Sequence, residues 1–90
     1  MQRILLSREE VARRAKELYE NSIRQQVERQ ENIGKMVIID IETGEYAIDK
    51  IGIESARYLL TKNPFARLFG IRIGYKAAAS FSGEMERDYQ

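Results

Sequence analysis

From Met36 to Asp49 apolar residues recur at alternate positions on either side of Thr43-Gly44. Val37, Ile39 and Ile41 interleave with Ile38, Asp40 and Glu42; after Thr43-Gly44, Tyr46 and Ile48 interleave with Glu45, Ala47 and Asp49. A period of two on either side of a glycine turn predicts a β-hairpin. With Glu42 and Glu45 flanking the turn, Ile41 is expected opposite Tyr46 and Ile39 opposite Ile48, which gathers the apolar side chains on one face. Thr43 is poorly suited to the positive φ of the tightest turns, so a four-residue turn from Glu42 to Glu45 in the same register is an equal option.

Upstream the period changes. Ser7 to Ile33 contains no proline or glycine, and Val11, Ala15, Leu18, Tyr19, Ile23 and Val27 form an apolar stripe. This predicts one long helix over 7–33, with Ser7 as N-cap, Glu10 as its capping-box partner and Gly34 as its stop. Such a helix is about 39 Å long at ~1.5 Å per residue, more than a sheet of short strands can cover. Its start is therefore expected to be solvated or to reach a second chain. Downstream, Asp49 is expected to cap a second helix over 50–62, with Ile53, Ala56, Leu59 and Leu60 on its buried side and Asn63-Pro64 ending it. A third strand follows over 66–75, where Phe69, Ile71, Ile73 and Tyr75 share a face, and it can continue through residues 76–82.

The order helix, hairpin, helix, strand predicts an α+β fold in a single domain spanning 1–90. It comprises the long helix, a ββαβ body over 35–83 and a frayed tail over 84–90. Strand one is the most apolar and suits the centre, so the expected sheet order is 2-1-3. Strand three runs antiparallel to strand one, and the helices lie on one face, against Ile39 and Phe69.

Composition narrows the chemistry. The chain has 90 residues, no cysteine and no histidine, which removes disulfides, thiolate chemistry and an imidazole base. A domain this small needs added stabilisation, and oligomerisation is the remaining route. Fifteen basic and fourteen acidic residues nearly cancel, so no strong field steers a polyanion. No apolar run approaches a membrane span or a secretory signal, so the expectation is a cytoplasmic protein that does not engage a membrane.

Two resemblances carry functional content. Asp40-Ile41-Glu42-Thr43 resembles the first motif of the proofreading-type 3′–5′ exonucleases, where an Asp-x-Glu strand holds divalent metals. That family also needs two further aspartates and a histidine or tyrosine base on a larger domain. Here the remaining aspartates are Asp49 and Asp88, so a metal-dependent nuclease using Asp40 and Glu42 is only a distant alternative. The expected arrangement has Asp40 facing solvent and pairing with Arg72. The second resemblance is broader. Gly34 to Asp49, Asn63 to Ala66 and Arg72 to Tyr75 carry the pattern GKxVxIDIETGxYxID, NPxA and RxGY of a group of short uncharacterised bacterial proteins, many of them cyanobacterial. That group is similar to the partner proteins of toxin–antitoxin-like gene pairs.

The resulting expectation is a non-enzymatic interaction or regulatory module, without cofactor or metal. It associates with itself as a homodimer or larger assembly and binds a cognate protein. Phe69, Ile71, Arg72, Ile73, Tyr75, Leu18 and Ile23 are the candidate interface residues. A nucleic-acid-binding regulator using Arg67, Arg72 and Lys76 is the alternative.

Overall fold

The computed structural model describes residues 6–76 and 86–87. The first helix, α1 (Arg8–Leu18), starts where its cap chemistry puts it: the Ser7 hydroxyl accepts the Glu10 amide at 3.1 Å. The Glu10 carboxylate does not return to Ser7 to complete a capping box, because it binds Arg13 and Arg14. The buried positions that follow, Val11, Ala15, Tyr19, Ile23 and Val27, are each four residues apart. At ~3.6 residues per turn every such step overshoots by about 40°, so a straight α-helix would carry Val27 about 160° round from Val11. The chain corrects this drift with a π-helical segment, Tyr19–Ile23, in which the Arg24 amide reaches back to the Tyr19 carbonyl. The wider turn unwinds the helix and returns Ile23 and Val27 to the sheet as α2 (Arg24–Val27) begins. The Tyr19 hydroxyl donates to Glu28 at 2.8 Å. Burial first, and then that bond to a carboxylate, push its pKa up.

The helix ends at Val27, not at Ile33. The Asn32 side-chain amide donates to the Val27 carbonyl at 3.0 Å, and a short 3-10 turn, Gln30–Asn32, leads into the sheet. The helix start is not loose either: Val11 is buried, and the Arg67 guanidinium donates to the Leu6 carbonyl at 2.8 Å. Shortened at one end and tied at the other, the helix lies along the body.

Strands β1 (Met36–Asp40), β2 (Tyr46–Asp49) and β3 (Leu68–Arg72) form an antiparallel sheet of order β2-β1-β3, as expected. The hairpin register differs from expectation by two residues: Tyr46 faces Ile39 and Ile48 faces Val37. The turn begins at Asp40, whose carboxylate accepts the Glu42 amide, while Gly44, at φ 82°, takes the conformation unsuited to Thr43. A slip of two leaves every side chain on its original face. Strand β3 is shorter than expected. It stops at a turn through Ile73 and Gly74, where a Cβ on Gly74 would lie 2.9 Å from Ile33. Beyond the turn, β4 (Tyr75–Lys76) pairs with β5 (Glu86–Arg87). Two residues assigned to the frayed tail are thus in a ladder; the extension of strand three through 77–82 lies outside the described residues.

The largest departure is in the layers. Val11, Ala15, Tyr19, Ile23 and Val27 pack with Val37, Ile39, Ile41, Ile71 and Ile73 on one face. Helix α3 (Ile53–Lys62) packs on the other, where Leu59 meets Met36 and Ile38, flanked by Ala56 and Leu68. The helices therefore lie on opposite faces, not together on the Ile39/Phe69 face. The cause is visible in β1, which is buried at every position: Met36 and Ile38 make its second face apolar, and that face also has to be covered.

Helix α3 starts at Ile53, three residues later than expected, behind Gly52 at φ 92°. The Asp49 carboxylate accepts the Gly52 amide at 3.0 Å, the Ser55 amide at 3.1 Å and the Ser55 hydroxyl. Drawing Ser55 inward turns the helix so that Ile53 and Leu60, expected to be buried, are 56% and 41% exposed.

Two outcomes follow from these elements. Deleting Asn21, an exposed residue of the π segment, changes the apolar spacing to one that a plain α-helix satisfies, with all five buried side chains inside an arc of about 80°. The variant is expected to melt cooperatively within about 5 °C of the wild type; loss of the cooperative transition in circular dichroism would count against the compensation argument. The second outcome concerns pH. The Ser55 hydroxyl, aided by the Ser55 and Gly52 amides, holds the Asp49 carboxyl below its ordinary value of 3.8. Its contribution is therefore complete above that pH and is lost as pH falls through the lowered folded value. Melting temperatures measured from pH 6 to pH 2 should show a smaller acid loss for Asp49→Asn than for wild type.

Candidate interaction surface

Backbone parity along β3 determines what its edge offers. The Ile41 amide donates to the Arg67 carbonyl at 3.0 Å and the Ile73 amide to the Lys35 carbonyl at 2.8 Å. Arg67, Phe69, Ile71 and Ile73 thus turn their backbone groups toward β1. Leu68, Gly70 and Arg72 turn theirs outward, and no strand among the described residues pairs with that side.

Above this edge, α3 is tilted toward β2. Ser55 is held to Asp49, and Lys62 pairs with Glu45 at 3.1 Å, so one flank of the helix faces β2. The opposite flank, carrying Ile53 and Leu60 seven residues apart, looks toward β3. Phe65, in the connection to β3, is 66% exposed. An open strand edge and an apolar flank therefore lie on the same side of the molecule. The sequence reading missed Ile53, Leu60 and Phe65. The signal was present in α3, whose apolar positions span more of the helix than one buried face can hold.

The expected interface residues separate into groups. Ile23, Ile71 and Ile73 are buried within the chain, so their side chains are core and not contact surface. Leu18 and Phe69 are half-buried against the same core. Arg72 donates to the Gly34 carbonyl at 2.6 Å. Tyr75 is placed by its backbone opposite Arg87. Two of the basic trio are already engaged, Arg67 with the Leu6 carbonyl and Arg72 with the Gly34 carbonyl; the backbone of Lys76 lies in β4 opposite Glu86.

Asp40 is not on a solvent face. It is 2% exposed and lies opposite Leu68, while Met36 occupies the position opposite Arg72. Its carboxylate accepts the Glu42 amide at 2.9 Å, the Thr43 hydroxyl at 3.2 Å and the Asn63 side-chain amide at 3.2 Å. These bonds join the hairpin turn to the end of α3, where the Asn63 side-chain oxygen in turn accepts the Phe65 amide at 3.2 Å. Glu42 is exposed, with the Asn63 amide 3.5 Å away. Among the described residues, no cluster of three or more acidic side chains could hold a metal ion.

A shallow cleft lies between α1 and the hairpin turn, lined by Arg13, Arg14, Glu17, Leu18, Asn21 and Ile41. Its cations are already paired: Arg13 with Glu10 and Glu17, and Arg14 with Glu10. No helix among the described residues is long and apolar enough to cross a membrane. Compared with protein-family models, curated proteins and solved structures, the chain matches none.

The Asp40 geometry can be checked directly. Asp40→Ala leaves the Thr43 hydroxyl and the Asn63 amide without their acceptor and is expected to cost about 2 kcal/mol in denaturant unfolding. Asp40→Asn, which keeps one carbonyl acceptor, should cost less. Millimolar Mn²⁺ should leave the wild-type melting temperature unchanged. Stabilisation of the wild type but not of Asp40→Ala, together with degradation of single-stranded DNA, would restore the metal-dependent nuclease.

Proposed function

We propose that this protein is a non-enzymatic interaction module, an antitoxin-like component of a two-gene pair. It acts in the cytoplasm by associating with itself and by binding a cognate protein. The observation that supports this reading is the outward side of β3, unpaired among the described residues, beside the exposed Ile53, Leu60 and Phe65. Proteins that remain single usually blunt such an edge with proline, a bulge or an inward charge, and β3 has neither proline nor bulge from Leu68 to Arg72, its one charge being Arg72 at the last position. The small core and the absence of cysteine favour association as the added source of stability.

The chemistry of the described residues points the same way. Asp40 and Asp49 each accept three hydrogen bonds and use them to fix turns. Nucleic-acid binding draws less support, since Arg67 and Arg72 are engaged with backbone carbonyls.

Two measurements test the reading. Light scattering at micromolar concentration should return a dimer or a larger assembly, and a cooperatively melting monomer would remove the self-association component. Purification from native cells should yield a stoichiometric protein partner encoded beside this chain; its reproducible absence would remove the two-gene component.

A further inference from the structure

We propose that the self-association occurs at one defined place: β3 pairs antiparallel with β3 of a second copy about a two-fold axis through Gly70. This rests on the self-association reading above and specifies its surface and register. The two three-stranded sheets become one continuous sheet, with the α3 helices together on one face and the longer helices on the other.

The register follows from the positions of the outward groups. Along β3, Leu68, Gly70 and Arg72 present backbone donors and acceptors away from β1. An axis through Gly70 pairs all of them: Gly70 with Gly70 of the second copy, and Leu68 with Arg72. Shifting the axis by one residue leaves one outward residue without a counterpart. Placing it on Arg72 sets two guanidinium groups directly opposite each other, which is repulsive. At Gly70 the axis meets no side chain, so neither copy obstructs the other. On the opposite face the same register sets half-buried Phe69 against the strand position of Ile71 of the second copy, whose side chain is core, so the contact surface gained there is that of Phe69.

Charge agrees with this choice of occupant. On the β1–β3 side of the sheet, Asp40 and Glu42 lie at the end that also carries Arg67, and Lys35 and Arg72 lie at the other. An antiparallel pair lays Lys35 and Arg72 of each copy beside the Asp40 and Glu42 end of its neighbour. The hydrogen bonds that the buried Asp40 carboxylate accepts come from neutral groups, and Arg72 of the second copy, opposite Leu68, brings a cation to that side of the sheet while still donating to its own Gly34 carbonyl. The exposed flank formed by Ile53 and Leu60 overlooks the same junction.

The chain contains no cysteine, so engineered thiols report without background. Residues 68 and 72 are about 13 Å apart along one strand, beyond the roughly 7 Å that a disulfide spans between Cα atoms. The double variant Leu68→Cys with Arg72→Cys therefore cannot bridge within a chain, but in the proposed register it bridges twice between chains. Under mild oxidation it should become a covalent dimer, while each single variant should not. Equally efficient bridging by a single variant would overturn the register.

A companion variant covers poor folding of the double variant. Arg72→Pro removes an outward donor without breaking a bond to β1, and the extended backbone tolerates it. It should shift light scattering from dimer to monomer with the cooperative melt retained. If wild type is a monomer, the self-association reading fails and this proposal with it. If wild type is a dimer but the double variant gives no covalent dimer, or Arg72→Pro remains dimeric, self-association stands and the β3 surface is overturned.

Discussion

The structure depends on β1 being covered on both faces. A five-residue strand with every side chain buried sets two demands at once. Val37 and Ile39 need one apolar layer, and Met36 and Ile38 need another. The long helix supplies the first and α3 the second, while β2 and β3 close the two edges. Each remaining element can be understood by what it contributes to β1. The π segment keeps the helix stripe in contact across four turns, the Asp49 cap orients α3 over Met36 and Ile38, and the turn at Asp40 returns the chain as β2.

Much of this was legible in the sequence. The period-two alternation located the hairpin, the uninterrupted stretch after Ser7 located the helix, and Pro64 marked the end of α3. The apolar character of Met36 to Ile41 correctly placed strand one at the centre, giving the order β2-β1-β3. The same run also held the information that the helices must separate, since Met36 and Ile38 point away from Val37 and Ile39. Reading the hairpin as half-buried assigned those two residues to solvent and collapsed two layers into one. Other differences arise from side chains that bind backbone at a distance. Asn32 ends the helix by reaching Val27, and Asp49 delays α3 by holding Ser55. The first is announced by no glycine or proline, whereas the second coincides with Gly52, whose positive φ immediately precedes α3.

The candidate surface was partly legible. Strand three was identified as the open edge, yet several side chains chosen for the interface, Ile23, Ile71 and Ile73, are core. A strand's alternation shows which residues share a face but not whether that face is covered by the same chain. The exonuclease-like string illustrates a similar ambiguity. Asp-x-Glu-Thr suits a metal because two carboxylates share a strand face, and it suits a turn because an aspartate oxygen can accept the amide two residues on. Here Asp40 does the latter, and its second oxygen is taken by Thr43 and Asn63.

The position of β1 also bears on how the chain folds. Its two layers come from opposite directions along the sequence, the helix from upstream and α3 with β3 from downstream. The bond between Arg67 and Leu6 closes a separation of 61 residues. Neither half can form a dry interior alone: a segment ending before Leu68 leaves β1 with an open edge, and one beginning after Val27 leaves Val37 and Ile39 in water. Such an arrangement favours an all-or-none transition with a high proportion of non-local contacts, and therefore slower folding than a helical bundle of equal length. Until both layers arrive, the most apolar strand of the molecule stays accessible to other chains.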